Sequence, residues 1–133
     1  MRFIFIIICI STKIWCASSY NMELKSIMTF ENSLNDYGVS DVWGYTDETG
    51  TEYAIVGYRH GTFIYDVSTN SDTPILVSDI PGPSGSDYYY HRDYKTHGDY
   101  LYIVNEMTGS DDGMQVVDLS PLPYNSPIQL DTY

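Results

Sequence analysis

The feature that most constrains this chain is that it repeats itself. Asp41-Val42-Trp43 aligns with Asp93-Tyr94-Lys95 at an offset of 52, and Tyr53-Ala54-Ile55-Val56 with Leu101-Tyr102-Ile103-Val104 at 48. Gly61-Thr62-Phe63-Ile64-Tyr65-Asp66-Val67-Ser68 matches Gly113-Met114-Gln115-Val116-Val117-Asp118-Leu119-Ser120 at 52, and Pro74-Ile75-Leu76-Val77 matches Pro127-Ile128-Gln129-Leu130 at 53. The offset falls where the first copy carries the extra turn Thr46-Asp47-Glu48-Thr49. It recovers where the second copy carries the longer loop from Glu106 to Asp112. Insertions confined to turn-like segments are the mark of a structural repeat, and a unit of this length points to stacked β or helical modules.

Within each copy the pattern is β. The first copy reads as strands over Val42–Tyr45, Glu52–Tyr58, Thr62–Val67 and Ile75–Ile80, rich in β-branched and aromatic residues and separated by Gly, Pro, Asn, Asp and Ser. The central strands are nearly unbroken apolar runs, which fits sheets covered on both faces. Four-stranded sheets stacked face to face around an axis achieve that, as in a β-propeller. A segment resembling the fourth strand, Leu24 to Phe30, precedes the first copy and is expected to be an orphan outer strand. Trp43 is expected in the innermost layer. Two units do not close a ring of about four to eight blades, so the expectation is a piece of a larger ring, or one that assembles with other copies. The competing reading is two sheets collapsed as a small sandwich.

The first nineteen residues read as an export signal. Met1-Arg2 is followed by the apolar run Phe3 to Ile10, then by Ser11-Thr12-Lys13 and the small residues around Cys16-Ala17-Ser18-Ser19. The run is much shorter than the ~20 residues of a spanning helix; an uncleaved anchor and a lipidated Cys16 are the alternatives to cleavage near Ser19. Cleavage removes Cys9 and Cys16 together with Arg2 and Lys13 and leaves a thiol-free chain of net charge −14. The organisation expected is therefore a signal peptide over 1–19, an orphan strand and loop over 20–40, and repeats over 41–83 and 84–133. The whole chain, with 18 acidic and 6 basic residues, has a formal charge of −12. That excludes nucleic acid, whose affinity rests on basic side chains, and it opposes adsorption to anionic lipid. No membrane insertion of the exported chain is expected.

Several strings are similar to the choice-of-anchor B proteins, which carry LVIVD-type propeller repeats. They are Asp41-Val42-Trp43-Gly44-Tyr45, Thr62-Phe63-Ile64-Tyr65-Asp66-Val67-Ser68, Asp99-Tyr100-Leu101-Tyr102-Ile103-Val104 and Gly113 to Ser120. The resemblance covers about residues 24–133. It implies a secreted, mostly bacterial protein held at the surface by one of several C-terminal signals, and it transfers no catalytic residues. No such signal is present, and the pattern stops in mid-repeat at Asp131-Thr132-Tyr133, so further blades of the same protein are expected.

Candidate functional residues are few. Tyr88-Tyr89-Tyr90 suits ligand contact, because exposed Tyr supplies area at low entropic cost. His91, Arg92 and His97 form the densest polar group, and Glu106, Asp111 and Asp112 occupy a loop expected on the same face. Those carboxylates are the candidates for a divalent cation, but they lack the alternating Asp spacing of calcium loops, so no cofactor is expected. Asp66 and Asp118 share a position in the third strand and are expected to make a structural hydrogen bond. The function expected is non-catalytic binding or adhesion toward an extracellular protein or glycan. The alternative is an extracellular hydrolase or lyase with its site on the propeller face.

Overall fold

The computed structural model describes residues 21–28, 39–82, 91–106 and 113–132. Eight strands run through them: β1 Val39–Thr46, β2 Glu52–Tyr58, β3 Gly61–Asp66, β4 Ile75–Pro81, β5 Arg92–His97, β6 Tyr100–Asn105, β7 Gln115–Asp118 and β8 Ile128–Thr132. They form two four-stranded antiparallel sheets, ordered β1-β2-β3-β4 and β5-β6-β7-β8, and the described residues contain no helix. The chain is all-β, and each sequence repeat is one meander. The signal peptide lies outside the described residues. Residues 21–28 are mostly exposed and form no strand; the rest of the expected outer strand, 29–30, is not described.

Turn chemistry explains the hairpins. The Asp47 carboxylate accepts hydrogen bonds from the Thr49 and Thr51 amides at 2.8 and 3.0 Å, and Gly50 returns its amide to the Asp47 carbonyl at φ 89°. A left-handed residue at that point favours glycine. Asp66 Oδ1 takes the Ser68 and Thr69 amides at 2.9 Å each, and Asp118 Oδ1 takes the Ser120 amide at 2.9 Å. The shared aspartate therefore ends the third strand of both sheets with the same side-chain-to-backbone turn.

Pairing registers show how the two sheets correspond. Asp66 stands opposite Ile75 and Tyr53, and Asp118 stands opposite Ile128 and Tyr100. Both sheets carry a bulge at the same place, between Ile64 and Tyr65 in the first and between Val116 and Val117 in the second. Trp43 pairs with Ile55, and Lys95 pairs with Tyr102. Three of the four strands thus keep the offsets read from the sequence. The second does not: Tyr53 corresponds to Tyr100, an offset of 47 rather than 48. A one-residue slip in a strand moves every side chain to the opposite face, so this correction changes which residues meet.

The two sheets stack through unlike faces. The first sheet presents Trp43, Tyr45, Tyr53, Ile55, Thr62 and Ile64. Against them the second presents Arg92, Tyr94, Thr96, Leu101, Ile103 and Val117, and Ile55, Ile64, Leu101, Ile103 and Val117 are sealed from solvent. On the corrected register, the residues of the second sheet that correspond to Trp43, Tyr53 and Ile55 are Lys95, Tyr100 and Tyr102, which belong to the opposite face, although the long Lys95 side chain returns to the Trp43 ring at the seam. The front of one sheet meets the back of the next.

Polar contacts fix that arrangement. Trp43 Nε1 donates to Thr96 Oγ1 at 3.1 Å, and the Tyr45 hydroxyl donates to Asp99 Oδ1 at 2.9 Å. Gln115 Nε2 donates to the Pro81 carbonyl at 2.9 Å. Trp43, expected to be buried, lies on the strand nearest β5 and is half-buried rather than enclosed, with the Lys95 ammonium 3.9 Å above its ring. Gly57 has no side chain because a Cβ there meets Ser40 Oγ and the Tyr94 hydroxyl.

Candidate functional site

The polar residues gathered by the sequence reading part company in three dimensions. His91 precedes β5 and Glu106 follows β6, and the antiparallel pairing brings these ends together. The Glu106 amide donates to the His91 carbonyl at 3.4 Å, and His91 Nδ1 is hydrogen-bonded to Glu106 Oε1. Both side chains are at least half exposed. With Arg92, Asp93, Val104 and Asn105 they border a shallow depression of about 160 Å³.

Arg92 turns the other way. It is 2% exposed and lies between the sheets, with Nη1 donating to the Tyr58 carbonyl at 2.6 Å and to the Arg59 carbonyl at 3.4 Å. Burial pulls its pKa below the ordinary guanidinium value, while Tyr94 and Tyr58 oppose the shift. Its guanidinium ties β5 to the β2–β3 turn, which places it in the framework rather than at a ligand surface. His97 ends β5, six residues beyond His91. At about 3.3 Å per residue the two imidazoles belong to opposite ends of the strand, about 20 Å apart.

Tyr88, Tyr89 and Tyr90, and likewise Asp111 and Asp112, lie outside the described residues. Among the described residues no group of three His, Cys, Asp or Glu side chains is close enough to hold a metal ion.

At the other end of the sheets lies a grouping that the sequence reading did not single out. Tyr45, Asp47, Glu48, Asp99, Ser120 and Leu122 border a hollow of about 80 Å³. Burial works against ionisation of Asp47, but hydrogen bonds from Thr49, the Tyr53 hydroxyl and the Thr51 amide outweigh it and hold the carboxyl below its ordinary 3.8. The repeat register was the available signal, since it puts the first copy's turn beside Asp99. Asp47 is occupied in turn bonding and Asp99 in inter-sheet bonding. The His91–Glu106 pair is solvated and screened, so it offers surface contact and lacks the enclosed, low-dielectric setting that strengthens electrostatic catalysis.

No family model, curated protein or solved structure matches this chain. Function must be argued from the fold and these residues.

Proposed function

We propose that this chain belongs to a secreted or cell-surface β-propeller repeat protein that works as a non-catalytic binding or adhesion module. The observation that carries the reading is the front-to-back stacking of the two sheets. A sandwich related by a two-fold axis buries the same face of each sheet and is finished. Front-to-back stacking instead leaves one front and one back uncovered, and successive units added in the same sense curve into a ring.

Resemblance of the Asp-Val-Trp-Gly-Tyr and Gly-Met-Gln-Val-Val-Asp-Leu-Ser strings to choice-of-anchor B proteins supports the same reading. So does the position of His91 and Glu106, with His97 at the other end of β5, which leaves an open polar rim for contact with an extracellular protein or glycan. The rival, an extracellular hydrolase or lyase, needs polar groups converging in one enclosed place.

The test is expression of the chain within its whole reading frame in a secreting host. Intact mass should show loss of about nineteen residues, the length of the leader read from the sequence. The exported protein should then give saturable binding on arrays of glycans and extracellular proteins. Retention of Cys9 and Cys16 in a cytosolic product, or turnover of a bound glycan or peptide, overturns the proposal.

A further inference from the structure

We draw no further inference here: the strongest candidate, the hollow of about 80 Å³ at the seam between the β1–β2 turn and the β5–β6 turn, is a group of carboxylates from Asp47, Glu48 and Asp99 with no second feature that points to a ligand.

Discussion

The Tyr94 hydroxyl on β5 sits 2.9 Å from Thr62 Oγ1 on β3, and each residue is only 1% exposed. This is the most deeply buried side-chain pair among the polar bridges between the two sheets. Each hydroxyl is the other's partner, so removing one strands a buried polar group, whereas removing both does not.

Tyr94→Phe is therefore expected to cost about 1–3 kcal/mol, and Thr62→Val a similar amount. The double variant should cost much less than the sum of the two. Urea midpoints on all four proteins give the coupling. Strict additivity would show that the sheets do not meet through this pair.

Alkali should unfold the protein earlier than its β-sheet content alone implies. Burial raises the phenols of Tyr45, Tyr58 and Tyr94 from 10.0 to about 12, and bonds to Asp99 and Asp79 add to the effect at the first two. Tyr53 is raised as well, by burial and by its bond to Asp47. The unfolded chain releases these protons first. Their contribution is complete below about pH 10 and is lost as pH climbs toward about 12. The last phase of phenolate absorbance, which belongs to these four of the 14 tyrosines, should coincide with loss of the circular dichroism signal. Complete phenolate formation with the sheet signal intact would contradict this.

The acid limb has a different origin. Asp47 and Asp66 titrate below 3.8 despite burial, because each accepts several hydrogen bonds in its turn. The unfolded carboxylates take up protons first as pH falls, so this stabilisation is present above about pH 4 and disappears below it. Asp47→Ala should cost about 1.5–3 kcal/mol at neutral pH, the range for hydrogen bonds to a charged group. It should also flatten the loss of stability on acidification. An acid transition unchanged by the variant would remove Asp47 from the account.

Trp43 is half-buried, so Trp43→Ala should cost about 3 kcal/mol, the low end of the range for a core aromatic. Once residues 1–19 are removed it is the sole tryptophan, and its fluorescence reports the seam between β1 and β5 directly. Lys95→Met keeps the stem that covers the ring and removes the cation. It should cost less than about 1 kcal/mol, as an exposed cation–π contact does. A Trp43→Ala loss within error would place the ring outside the seam.

Much of this architecture was legible in the residues themselves. The strand runs, the Asp47-to-Gly50 turn and the shared Asp66 and Asp118 turns follow from local preferences that need no tertiary partner. The repeat was legible too, through Gly61 and Gly113 and the Asp-x-Ser ends of the third strands. The grouping of His91, Arg92 and His97 was not resolved. Adjacency in sequence does not say that alternate residues of a strand face opposite ways, or that its two ends lie far apart.

What the sequence determined by itself is the set of strands, their order and the twofold repetition, because these depend on side-chain type and turn chemistry along the chain. What only the tertiary structure decided is the register of the second strand in each sheet. Similarity aligned Ile55 with Ile103, but the backbone pairing makes Tyr102 the counterpart of Ile55 and Ile103 the counterpart of Val56. Hydrogen bonding with neighbouring strands fixes that register, and it alone decides which face each side chain takes. On that one-residue register rest the front-to-back stacking and the burial of Tyr94 against Thr62.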